Sequence, residues 1–92
     1  MLFNNKITRD MVENGLTLGL IQPVLEGDLR CYIGDYWFWF GGTEFEYTDP
    51  EEIPFDILVD EIFEALDSFD TEDFEDEYNY YYYFLLEGIS EK

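Results

Sequence analysis

The stretch LRCYIGDYWFWF, Leu29 to Phe40, decides the fold. Two runs of apolar and aromatic residues flank Gly34-Asp35, and a Gly-Asp pair in that setting signals a two-residue hairpin turn. With the turn fixed, Ile33 opposes Tyr36, Cys31 opposes Phe38 and Leu29 opposes Phe40. Side chains alternate across a strand, so these six share one face, the expected core face. The opposite face gathers Arg30 beside Trp39 and Tyr32 beside Trp37. A sheet with one wetted side normally turns polar residues outward. This one turns out two tryptophans and a tyrosine. Small domains rarely leave a large apolar patch bare, so cover by the first helix or by the loop after Phe40 is expected, with a partner as the alternative.

Working outward, LGLIQPVLE (Leu18 to Glu26) is a third strand-like run, and Pro23 inside it implies an edge strand or a bulge. Glu26-Gly27-Asp28 would turn it into the hairpin, giving a three-stranded antiparallel meander. Upstream, ITRDMVENGLTLG reads as a short helix. Thr8 suits its N-cap, Asp10 its first turn, and Gly15 is placed to stop it. Downstream, GGTEFEYTDPEEIP is a loop, and PFDILVDEIFEALDSF is the clearest helix, with Pro54 at its first turn. Phe55, Val59, Ile62, Phe63, Leu66 and Phe69 recur at helical spacing as its buried stripe. Asp56, Asp60, Glu64 and Asp67 form a row of carboxylates on its other side, roughly 5–6 Å apart.

The last segment, FDTEDFEDEYNYYYYFLLEG (Phe69 to Gly88), has five acids between Glu72 and Glu77 interrupted only by Phe74, then five tyrosines. Read as a helix it is amphipathic. Phe74, Tyr78, Tyr81 and Leu85 face inward with Tyr82 beside them, while Asp76, Asn79, Tyr80, Tyr83 and Glu87 face outward. Asp70 or Thr71 would cap it, Glu72, Asp73 and Glu75 suit the positive end of its dipole, and Gly88 would end it. The fold expected is a single α+β domain over residues 1–92: helix, three-stranded antiparallel meander, two helices.

Composition narrows the function. Hydrophobic residues make up 47% of the chain and aromatics 21%, too apolar for an acidic disordered protein. The formal charge is −19, and residues 31–91 hold nineteen acids and no base. Such a surface repels nucleic acid and anionic lipid and draws basic proteins, with fast, salt-sensitive association. The chain has no histidine, so Ser68 and Ser90 have no imidazole to activate them. Cys31 falls mid-strand on the core face, which marks it as an inert thiol rather than a nucleophile. A single cysteine and no histidine argue against zinc and against an internal disulfide. DSFDTEDFEDEY puts Asp67, Phe69 and Thr71 at the first three places of a calcium loop and lacks its glycine. No enzyme activity, cofactor or metal is expected. No apolar run approaches the ~20 residues needed to cross a bilayer and no signal peptide is visible, so a cytoplasmic location is expected.

Acids on a surface are ordinarily just solvated. Two features here say more: ordinary surfaces mix both signs of charge, and tyrosines are enriched at interfaces. Duplex DNA presents one negative charge per ~3.4 Å along each strand, and its binding proteins offer matching Lys and Arg. A rigid protein with carboxylates in rows would fit the same grooves. The expected partner-binding set is therefore Asp56, Asp60, Glu64, Asp67, Asp70, Glu72, Asp73, Asp76, Glu77, Tyr80 and Tyr83. Tyr32, Trp37 and Trp39 form a second candidate interface, suited to an adaptor or assembly module that binds a protein partner. The chain is expected to be a monomer or homodimer.

In its small size, strong negative charge and helix, three-strand, two-helix layout, the chain resembles certain phage-encoded anti-CRISPR proteins. IGDYWFWFGG is also similar to segments of uncharacterised phage or Firmicute mobile-element proteins. The first resemblance implies an inhibitor acting inside a bacterial host cell on a basic defence nuclease such as a CRISPR effector. Its target would be the channel or the arginine clamp that reads the protospacer-adjacent duplex.

Overall fold

The computed structural model describes residues 6–26, 28–40, 49–70 and 72–90. Its elements run α1 (Arg9–Thr17), β1 (Ile21–Glu26), β2 (Asp28–Ile33), β3 (Tyr36–Trp39), a 3₁₀ turn (Pro50–Glu52), α2 (Phe55–Asp67) and α3 (Glu75–Ser90). This is the helix, three-strand, two-helix order expected, in a small α+β domain.

Helix α1 starts where Thr8 Oγ1 accepts a hydrogen bond from the Met11 amide (3.2 Å). It does not stop at Gly15. The helix continues to Thr17 and closes when the Leu20 amide reaches the Gly15 carbonyl (2.8 Å) and the Gly19 amide reaches Leu16 (3.2 Å). Gly19, at φ +78°, supplies the left-handed residue that this closure requires. Gly15 serves packing instead, since a Cβ there would press on Ile21 and Leu85 side chains.

The sheet order is β1-β2-β3, all antiparallel. Ile33 pairs with Tyr36, Cys31 with Phe38, Tyr32 with Trp37 and Arg30 with Trp39, and the Phe40 amide donates to the Leu29 carbonyl (3.1 Å). The register expected around Gly34-Asp35 is the one found, with Gly34 at φ +65°. β1 is an edge strand paired without interruption from Ile21 to Glu26, which accommodates Pro23 opposite Cys31. Gly27 and the loop 41–48 lie outside the described residues.

The inner face of the sheet contributes Ile21, Cys31, Ile33 and Phe38 to one buried cluster, joined by Phe40. The helices supply Val12 from α1, Leu58, Val59, Ile62 and Leu66 from α2, and Tyr78, Tyr81 and Leu85 from α3. Tyr36, also expected inside, lies next to the Gly34-Asp35 turn and stays exposed, its ring edge-on to Tyr80 at 4.9 Å.

The stripe of α2 is rotated from the expected one. Leu58 is buried and Phe55 is exposed, while Phe63 and Phe69 only flank the core. Phe55 sits at the first helical position and lines an open groove beside β1. Phe69 instead centres an aromatic knot just after α2, within 6.3 Å of Phe38, 6.0 Å of Tyr78 and 5.8 Å of Tyr81.

Asp70 Oδ1 accepts from the Glu72 and Asp73 amides (3.1 and 3.2 Å) and so caps the turn leading into α3. Thr71 lies outside the described residues. α3 passes through Gly88 rather than ending there, and Leu20 fills the space where a Cβ would stand. Phe74 precedes the helix and is exposed, so the inward face begins at Tyr78.

Candidate protein-binding surfaces

On α2 the row Asp56, Asp60, Glu64 and Asp67 is exposed along its whole length, as its spacing requires. The approach to α1 and the first residue of that helix reach this row. Arg9 clamps Asp60 through Nε (2.9 Å) and Nη2 (2.8 Å) and also reaches Glu13 (3.6 Å). Lys6 Nζ lies 3.2 Å from Asp67. The hydrogen bond to Asp60, with smaller help from the neighbouring carboxylates, holds the Arg9 guanidinium above its usual pKa. The same segment is pinned to α3, where the Ile7 amide donates to the Tyr78 hydroxyl (2.9 Å). Two carboxylates of the row thus have cations of their own chain. Among the described residues, Asp56 and Glu64 meet none.

Past α2 the acids continue, and among the described residues they meet no lysine or arginine. Asp70, Glu72, Asp73 and Asp76 are exposed around the turn and the start of α3, and Glu75 and Glu77 are half-buried. Glu75, Asp76 and Glu77 occupy the first turn of α3, where the helix dipole favours negative charge. No group of three or more potential metal ligands converges among the described residues. No helix among them is long and apolar enough to cross a membrane.

The tyrosines of α3 divide differently from expectation. Tyr78 and Tyr81 are buried, and Tyr83 is 48% exposed on the acidic side. Tyr80 does not look outward. Its hydroxyl accepts from the Asp35 amide (3.1 Å), and its ring fills the space that Gly34 leaves by having no side chain. The ring also stacks on Phe84 at 5.8 Å. Tyr80 is a latch between α3 and the hairpin, half-buried rather than turned outward. One turn beyond Tyr83, Leu86 is 40% exposed, an apolar neighbour that the run of tyrosines had overshadowed.

No family model, curated protein or solved structure matches this chain. Function must be argued from these surfaces.

The second candidate surface is the outer face of the hairpin. Trp39 is 62% exposed and Trp37 38%. The first helix does not cover them, because α1 buries Val12 in the cluster on the sheet's other side. Trp37 meets Trp39 edge-to-face at 5.1 Å and Tyr32 at 6.4 Å, and the Arg30 guanidinium lies 4.6 Å from the Trp37 ring centre. Cys31, between these residues in sequence, points the other way. It is fully buried, and desolvation pushes its thiol well above the usual range, so it stays protonated and unreactive.

An open groove of about 430 Å³ runs beside β1, lined chiefly by Leu16, Ile21, Pro23, Ile53, Phe55 and Leu58. The exposure of Phe55 gives it one wall. Sequence spacing had assigned that ring to the core, and no signal in the sequence marked the groove.

Proposed function

We propose that this protein is an acidic mimic of nucleic acid that occupies the basic, nucleic-acid-binding surface of a protein partner, a bacterial defence nuclease being the class that fits. The observation that carries the reading is the succession of exposed carboxylates along the chain, from Asp56 and Glu64 on α2, through Asp70, Glu72 and Asp73 in the turn, to Asp76 in the first turn of α3. Successive acids on a helix face stand ~6 Å apart, within reach of the Lys and Arg side chains that otherwise contact phosphates. Both helices are anchored by large buried side chains, so the charges are held in fixed positions, and a preorganised surface loses less entropy on binding. Tyr83 and Leu86 add an apolar foothold next to the acids, where charge alone would give little specificity. The ion pairs at Asp60 and Asp67 shift the weight of the interface toward the α2–α3 turn.

The test is recovery of partners from bacterial lysate at low and high salt, followed by displacement of each recovered protein with duplex DNA. Basic proteins that are lost at high salt and displaced by DNA are expected. The triple variant Asp73→Asn, Asp76→Asn, Glu77→Gln should recover them poorly. Recovery indifferent to both DNA and the triple variant rejects the proposal.

A further inference from the structure

We infer that Lys6 and Arg9 are an internal competitor for the acidic face, standing on the α2 row where a partner's cations would otherwise stand. This rests on the mimicry proposed above and gives it a control: the chain shields part of its own interface until a dense basic surface displaces the shield. The fit of the two cations to the row is geometric. Asp60 and Asp67 are seven residues apart on α2, two turns or ~10.5 Å. Lys6 and Arg9 are three residues apart, and three residues of extended chain also span ~10 Å. Thr8 between them is extended, at φ −95° and ψ 164°. Lys6 thus reaches Asp67 while Arg9 directs both Nε and Nη2 at one oxygen of Asp60.

The shield is fastened between its two charges. Ile7 is buried, its amide donates to the Tyr78 hydroxyl, and Thr8 caps α1. The backbone under the cations is therefore fixed, and only their side chains can leave the row. Leaving costs little. The four side chains of these pairs are 43% to 69% exposed, and ion pairs open to water are weak. A tethered cation still outcompetes a dilute free one, because tethering gives it an effective concentration on the order of mM. Isolated cations are turned away, while a surface that brings several together can exchange them. The acids from Asp70 to Asp76 meet no lysine or arginine among the described residues, so they give such a surface its first hold. Exchange on α2 follows and opens Asp60 and Asp67.

A short oligo-lysine peptide is the probe, titrated by calorimetry at about 0.05 M ionic strength. Arg9→Gln should tighten its binding about threefold, the scale of one exposed ion pair. Arg30→Gln makes the same change in net charge on the outer face of the hairpin and should tighten binding less. In an Asp60→Asn background the gain from Arg9→Gln should shrink toward the Arg30→Gln level, since the carboxylate to be released is gone. Lys6→Gln with Asp67→Asn repeats the cycle at the other pair, away from the first residue of α1. Equal gains from Arg9→Gln and Arg30→Gln, or gains that survive the loss of the paired aspartate, overturn the inference. Oligo-lysine that binds neither the parent nor Arg9→Gln overturns it too. The mimicry fails by a different result, lysate partners that DNA does not displace, so the two outcomes are read apart.

Discussion

Phe38 and Trp39 are adjacent in one strand, of similar chemistry, and have opposite fates. Phe38 meets Phe69 and Tyr81 in the aromatic knot, while Trp39 stands in solvent beside Trp37. Alternation along the strand turns them apart, and the positions of the helices decide which of the two faces becomes interior. All the described helices feed the cluster on the Phe38 side. Aromatic content therefore does not measure burial in this protein. The inner aromatics hold the fold together, and the outer ones, Trp37 and Trp39, stay exposed.

Substitutions on the two faces should separate these roles. Phe38→Ala opens a cavity among rings from α3 and the α2–α3 turn, and should cost about 3–5 kcal/mol in urea unfolding. Gly34→Ala attacks the turn that sets the alternation. The new Cβ is strained at φ +65° and collides with the Tyr80 hydroxyl, for a loss of roughly 2 kcal/mol. Tyr80→Phe in the same chain should relieve part of that loss.

A third comparison uses pH. Burial pushes the Tyr81 phenol up to about 12, with smaller contributions from Cys31 and Glu77. The folded state therefore holds this proton more tightly than the unfolded chain, whose tyrosines titrate near ~10. The stability so gained is complete below pH ~10 and disappears as pH rises through about 12. Denaturant midpoints measured across that window should fall, and Tyr81→Phe should shallow the fall. The smallest effect belongs to the outer face: Trp39→Ala should leave stability within about 0.5 kcal/mol of the parent. A large loss there would mean that Trp39 belongs to the fold and would erase the contrast with Phe38.

The hairpin was legible because its signals are local. A Gly-Asp turn between two alternating runs leaves one register, and that register alone brings Tyr32, Trp37 and Trp39 together. The helix ends were less legible. Gly15 and Gly88 look like stops in sequence, yet both make room for side chains that approach from elsewhere, Ile21 and Leu85 in one case and Leu20 in the other. A single sequence does not distinguish a glycine that ends a helix from one that lets another element come close. The tyrosine run poses a related problem. Four identical residues at positions 80–83 differ only in direction, and the direction of Tyr80 is set by a hairpin turn more than forty residues earlier. The acidic row was visible as a helical spacing, but the ion pairs from Arg9 to Asp60 and Lys6 to Asp67 join segments far apart in the chain. No local pattern announces them.

The hydrogen bond from Ile7 to Tyr78 spans seventy-one positions and ties the approach to α1 to the start of α3. α1 packs on α2 and α3 more than on the strands that follow it. During synthesis, then, α1 emerges before both of the helices it packs on, and Ile7 meets Tyr78 only once α3 has followed. The meander, whose pairings are all local, can assemble in the meantime. Closure of the domain is a late event that depends on a helix dense in like charge, so the ionic conditions around the nascent chain bear on how long the apolar side of α1 stays unprotected.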